Sequence, residues 1–368
     1  MPPARSFVLP ALTAAAGLFV ALWTLLPVPS AWVDHYYSRG LYRALAALLV
    51  PLSDLVPLSL SGLALTLAPA LLALLMLRGW RRSKSAREWL LRWSKHLLGG
   101  LLGLYVLFLV LWGLNYGRPP LEARLGLELE APNIEEVAHF AGGLAAIIWE
   151  TAPPEGTRDR ARALASLRAA IRSLVLDWEG RQVTLPSRVK TTPAGLLLLN
   201  NTAGVVSPFF LEAHVDGGLP EYKFLAVAAH ELSHLAGYGG EADTDFIAAV
   251  AGLRAGDPYA RYSVALSLFE GFARRLPADL RGDLVEGLPE AARRDLEAAR
   301  AVRLRYRNAG LQRLQGALYD SYLRAQGVSA GVADYGRVVE ILLAAERRGL
   351  RVLGPPETLA VSEAPSPP

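Results

Sequence analysis

Residues 228–246 read AAHELSHLAGYGGEADTDF, and two of the chain's six histidines stand in it four positions apart. Residues at i and i+4 share one face of a helix, so His230 and His234 can both present a ring nitrogen to one tetrahedral Zn2+. Glu231 adjoins the first of them, where its carboxylate can reach a water at the metal's open position without binding the metal itself. HELSH is thus an HExxH pattern, whose chemistry requires the helical setting that the surrounding apolar residues predict. Zinc lowers the pKa of such a water to about 7, and Glu231 is then the general base that takes its proton as it attacks a carbonyl.

A zinc site needs a third protein ligand. Gly237, Gly239 and Gly240 end the helix and let the chain reverse, and Glu241 opens the next helix, so its carboxylate can return towards the two histidines. Asp245, one turn further on, is placed to accept a hydrogen bond from the outer nitrogen of a ligating imidazole and fix its tautomer. Asp243 faces elsewhere and is the weakest of the three acidic candidates. A plainer account makes His230 and His234 buried core residues and the acidic run a complement to a helix dipole. It explains each residue singly, but not the glutamate in the one position between the histidines that hydrolysis requires.

Upstream, three uncharged apolar runs, about 7–26, 58–77 and 97–114, approach the roughly 20 residues of a spanning helix. The first is longer than the core of a signal peptide and reads as an uncleaved anchor. Between the second and third, Arg78–Lys95 holds seven Lys/Arg against one Glu. That local +6 exceeds the net charge of +4, so a pI near 9.3 reflects one loop and gives no nucleic-acid face. The positive-inside rule holds this loop in the cytoplasm, which puts the N-terminus inside and everything after residue 115 outside. The aromatic-rich stretch 31–55 suits the outer interface. With no cysteine, disulfides and thiolate chemistry are excluded.

The domains expected are therefore a membrane part, 1–116, a soluble α+β domain, 117–353, and a disordered Pro/Ser/Glu-rich tail, 354–368. Within the second, NIEE (133–136) is a capping box, Thr157 a candidate cap, and 183–192 and 203–215 a strand pair separated by LLLLNN (196–201). The histidine helix is expected over about 222–236. Asp257-Pro258 caps a helix to about 275, Pro289 opens one reaching towards 326, and a last helix covers about 332–348. The fold class is mainly α with a small sheet. The run 224–235 is too short for a spanning helix and is flanked by charges, which places the site outside the bilayer.

WGLNYGRPP (112–120), SPFFLEAH (207–214), HELSH and the later LYDSYL (318–323) and GVADY (331–335) together resemble a family of bacterial membrane proteins grouped as domain of unknown function 3810. The resemblance runs from the membrane helices to about residue 343 and implies a bacterial cell-membrane, multi-pass protein with a fold related to gluzincin-type zinc peptidases. In gluzincins the third ligand sits in E-x-x-A-(D/N), matched here by EADTD (241–245) with Thr244 in place of the usual alanine. This implies His230, His234 and Glu241 as metal ligands, Asp245 behind them, and a peptide or protein as substrate. The same fold class sets an edge strand beside the cleft; Glu212 and His214, on one face of such a strand, become candidates for substrate contact. An oxyanion donor is expected among Tyr262, Tyr319 and Tyr335. The competing expectation is a non-catalytic membrane scaffold or sensor with a structural zinc, closed by a fourth ligand such as His214.

Overall fold

The computed structural model describes residues 28–353 apart from 155, 309 and most of 312–336, together with a few residues between 13 and 18. The chain is mainly helical with one small sheet, as its patterning predicts. Two described helices, α2 (Leu60–Arg82) and α3 (Ala86–Leu111), follow α1 (Tyr42–Asp54) and are long and apolar enough to cross a membrane. None of the apolar stretch of α2 and 6 % of that of α3 is buried in the protein, so neither is a core helix of the domain. Three spans were expected; that over 7–26 lies almost entirely outside the described residues, as does the tail 354–368.

The helix limits also differ from the apolar runs, and side-chain caps are the reason. Ser59 accepts from the Gly62 N–H and opens α2 at Leu60, while Ser85 accepts from the Glu88 N–H and opens α3 at Ala86, inside the basic stretch, which leaves only residues 83–85 as a turn. Trp80 and Trp89 meet edge to face there at 5.3 Å.

The stretch expected at the interface winds as a π-helix over Val33–Leu41 and continues as α1. Val33, Tyr37, Tyr42, Ala46 and Val50 are buried in the main core, which they share with the residues after 117, whereas Trp32, Tyr36, Leu48 and Leu52 are exposed. This segment is therefore part of the domain's core on one face. The Tyr42 hydroxyl donates to the Leu235 carbonyl at 2.9 Å, tying it to the histidine helix.

Helices α4 (Ile134–Thr151) and α5 (Arg160–Glu179) come next. The Asn133–Glu136 capping box opens α4 as expected, but Asp159 rather than Thr157 caps α5, the Thr157 hydroxyl donating instead to the Pro154 carbonyl. Strands β1 (Lys190–Thr192), β2 (Gly204–Ser207) and β3 (Glu212–Asp216) form a sheet in the order β1-β3-β2, with β1 parallel and β2 antiparallel to β3. The hairpin thus joins β2 to β3, not the segments either side of 196–201. Asp216 accounts for the difference: its carboxylate accepts from the backbone N–H groups of Gly195, Leu197, Leu198 and Gly218, which winds 195–201 into a compact loop.

Helices α6 (Glu221–Leu235) and α7 (Glu241–Leu253) follow, and every residue of α7 except Asp245 is buried. Asp257 caps α8 (Pro258–Ala273) with proline at its first position, as the sequence indicates. Beyond it lie α9 (Ala278–Glu286) and α10 (Glu290–Arg305), whose expected continuation towards 326 falls mostly outside the described residues, and α11 (Val338–Arg347). Helix α6 packs against α5, α7, α8 and the sheet, so the HELSH face is held from several directions at once.

Candidate metal centre

The one-turn spacing on α6 brings the two imidazoles together, their rings meeting edge to face with centroids 4.7 Å apart. The reversal after the helix delivers the carboxylate. Gly237 has φ +96°, and a Cβ at Gly239 would lie 2.9 Å from the Asn115 and Tyr116 backbone, so the turn needs glycine at both positions for different reasons. Glu241 Oε2 then stands 3.1 Å from His230 Nε2 and 3.5 Å from His234 Nε2, and the three ligand atoms lie within 4.8 Å of one another.

The outer nitrogens are tied down. His230 Nδ1 lies 2.6 Å from Asp245 Oδ1, and His234 Nδ1 lies 2.8 Å from the Tyr238 carbonyl oxygen. A carbonyl only accepts, so His234 holds a proton on Nδ1 and directs Nε2 towards Glu241. Thr244 places its hydroxyl 3.0 Å from the same carbonyl and 2.8 Å from that of Gly240, stitching the turn that carries Tyr238. Asp243 faces away, accepting from the Leu121 N–H at 2.9 Å.

The charges suit a cation. Burial disfavours charge on both His230 and Glu241, but in each case the partners outweigh it. Asp245 and Glu241 raise the His230 pKa well above its usual value, and the two histidines hold Glu241 well below the carboxylate range. The carboxylates thus draw a second proton onto His230, and a bound metal would take that proton's place. Two imidazole nitrogens and one carboxylate oxygen are a donor set that fits zinc with a position left open. Glu231 is 5 % exposed, and burial raises its carboxyl to about 6, into the range of a base that works near neutrality.

These residues line a cleft of about 940 Å3. One wall is β2, where a Cβ on Gly204 would fall 2.6 Å from Glu231 Oε1, so only glycine lets the strand come this close. The other is the end of α3 and the residues after it: Phe108, Trp112 and Tyr116 line the cleft, and the Trp112 ring meets that of His234 at 5.8 Å.

Behind the turn lies a buried ionic network. Arg118 donates to the Gly237 carbonyl at 2.7 Å, to Asp34 and to Glu179, and the Tyr238 hydroxyl donates to Glu179 at 2.8 Å. Burial alone would raise the Glu179 carboxyl; Arg118, Arg43 and Arg124 outweigh it and bring it down to about 2.

A match to a family model covers residues 37–343, that of the protein of unknown function DUF3810. The chain belongs to this family. The match spans the two apolar helices and the HELSH domain together, so both parts are features of one DUF3810 unit. Neither the curated proteins nor the solved structures contain a match.

Not every candidate meets at the site. Glu212 and His214 do not line the cleft. Glu212 accepts from Ser53, from Lys190, from the Leu60 and Ser61 N–H groups at 3.0 Å each and from the Ser61 hydroxyl at 2.5 Å, while His214 Nε2 lies 2.8 Å from Ser59 Oγ. The carboxylate caps the N-terminus of α2 rather than meeting a substrate. Tyr262 is fully buried and donates to Asp295 at 2.7 Å, outside the cleft; Tyr319 and Tyr335 lie outside the described residues. The parts that the sequence reading missed are Trp112 and Arg118, although both stand in the WGLNYGRPP segment that it singled out.

Proposed function

We propose that this DUF3810 member is a membrane-anchored zinc metallopeptidase of zincin-like fold that hydrolyses peptide bonds, with its catalytic domain on the outer side of a bacterial cell membrane. The observation that carries the proposal is the convergence of His230, His234 and Glu241 with Glu231 poised beside them in an open cleft. His230, His234 and Glu241 would hold the zinc. Once bound, zinc supplies Lewis acidity, polarising a carbonyl and lowering the pKa of a water to about 7. Glu231, with its carboxyl raised to about 6, takes a proton from the attacking water and returns it to the leaving amine. The sheet order leaves β2 an edge strand, so an extended substrate can pair its backbone along Gly204–Ser207 and lie across Glu231. The orientation rests on the basic residues gathered at the α2–α3 turn.

The test uses the full chain purified in detergent. Mass spectrometry is expected to find one zinc per chain in wild type and in Glu231→Gln. Hydrolysis of a peptide library should fall on the order of 10²–10⁴-fold in the variant. Undiminished turnover, or a folded wild type that takes up no zinc, refutes the mechanism; zinc without hydrolysis in wild type favours the scaffold with a structural metal. A cytoplasm-only reporter fused after Pro368 is expected to be silent.

A further inference from the structure

Where the cleft lies relative to the bilayer follows from the lengths of two helices. Only a three-residue turn joins α2 to α3, the Trp89 indole N–H of α3 donates back across it to the Met76 carbonyl of α2 at 3.0 Å, and the far ends of both helices meet the same domain, Leu60 and Ser61 at Glu212 and Phe108 at the cleft, so the chain reverses and those ends point the same way. Basic residues mark the turn end of both: Arg78, Arg81 and Arg82 on α2, and Arg87, Arg92 and Lys95 on α3. Counted from the turn at 1.5 Å per residue, Arg82 to Leu60 rises about 33 Å and Ala86 to Leu111 about 38 Å, each enough for about 30 Å of hydrocarbon. Leu60 and the end of α3 therefore reach the far interface together.

The second of those points lines the cleft, and the first is fastened to the sheet behind its other wall. Phe108, Trp112 and Tyr116 form its wall at the end of α3, the aromatic belt level of a bilayer. The α2 N-terminus is clamped by Glu212 on β3, the strand paired with β2, which forms the opposite wall. The segment before α2 adds a third contact with the same level: Trp32, Tyr36, Leu41, Leu48, Leu52 and Leu55 are each half or more exposed, although they flank a buried face. An apolar surface of this kind, continuous with two spanning helices, is suited to lie in the headgroup and acyl boundary.

We infer that the cleft opens at the membrane surface and takes its substrate from the bilayer: a polypeptide tethered in the same membrane, bound as an extended segment within a few residues of where it leaves the lipid. This rests on the peptidase reading for the identity of the reaction, but not for the identity of the occupant. A polypeptide fits because the free edge of β2 offers backbone hydrogen bonds to an extended chain. A tethered one fits because a wall of Phe108 and Trp112 at belt level continues the apolar surface from which such a segment emerges.

The experiment exploits the absence of cysteine. Val205, on β2 and 44 % exposed, is changed to Cys in the Glu231→Gln protein, labelled with a photoactivatable maleimide and reconstituted in lipid nanodiscs. Two probe sets carry the same randomised eight-residue segment, one behind a synthetic apolar span inserted in the disc and one as free peptide. The tethered set is expected to crosslink at least 10-fold more at equal concentration per disc, and the wild-type zinc protein to cut it within a few residues of the span. Equal crosslinking of both sets, or of neither, overturns the inference. Selective crosslinking of the tethered set without cleavage by wild type upholds the occupant and overturns the peptidase reading.

Discussion

Two histidine–carboxylate clusters in this chain follow opposite rules. At Glu212 and His214 the carboxylate is surrounded by donors: Lys190, two serine hydroxyls and two backbone N–H groups at the start of α2. At His230, His234 and Glu241 the donors point outward instead, to Asp245 and the Tyr238 carbonyl, and the inner nitrogens face a carboxylate across a cleft wall. The first arrangement satisfies a charge with the protein's own hydrogen bonds and fastens the apolar helix α2 to the sheet. The second gathers two ring nitrogens and a negative charge at one point, a donor set that a cation can take once it displaces the proton. Proximity of His and Glu therefore says little about function; what the other nitrogen and the remaining oxygens are bonded to separates a fastening from a binding site.

The largest effect that tests this contrast is expected at the fastening. Glu212→Ala leaves buried Lys190 without its carboxylate and the Leu60 and Ser61 N–H groups without their acceptor, a loss of about 3–5 kcal/mol. Thermal unfolding in detergent should show it, while the fraction that remains folded keeps its zinc. Loss of zinc from folded Glu212→Ala protein would join the two clusters and break the distinction.

Acid comes next. Both Glu212 and Glu179 are held below the usual carboxylate value of 4.5, Glu179 at about 2. A depressed folded pKa means that the stabilisation is complete above the unfolded value and is lost as pH falls through the folded one. The part of the stability that these two carboxylates supply should accordingly be level above about pH 5 and fall between 4.5 and 2, Glu179 alone contributing roughly 3 kcal/mol. A midpoint unchanged down to pH 2.5 would contradict the strength assigned to the Arg118–Glu179 network.

The smallest effect is the finest probe of the metal side. Asp245→Asn removes the charge behind His230 and is expected to weaken zinc binding about 10–100-fold, read by competition with a chelator. His214→Ala should leave zinc affinity unchanged. Equal losses in both would restore His214 as a ligand and the closed, structural site.

How much of this was legible beforehand differs with the distance between partners in the chain. HELSH, the glycine reversal, Glu241 and Asp245 lie within sixteen residues, and helical periodicity with one turn is enough to converge them. Asp257 and the Asn133 capping box were readable for the same reason. Glu212 was misread as a cleft residue because its partners, Ser53 and Leu60–Ser61, stand about 150 positions upstream on what reads as membrane sequence. The β2–β3 hairpin was placed one loop too early because the Asp216 carboxylate, not a turn motif, organises 195–201. Thr157 and Asp159 are both competent caps two residues apart; the turn at 154–157 engages the Thr157 hydroxyl and leaves the cap to Asp159.

The sequence by itself determined the local features: which segments are apolar enough to span, where the helices are capped, and that two imidazoles and a carboxylate can share one point. These follow from spacing along one helix and one turn. Only the tertiary structure decided that the end of the apolar helix α3 forms a wall of the cleft, with Trp112 against His234, and that Glu212 fastens α2 to the sheet. Those contacts join residues more than a hundred positions apart through a shared core, and no periodicity carries that information, because it is the summed burial of many side chains that fixes which distant surfaces meet.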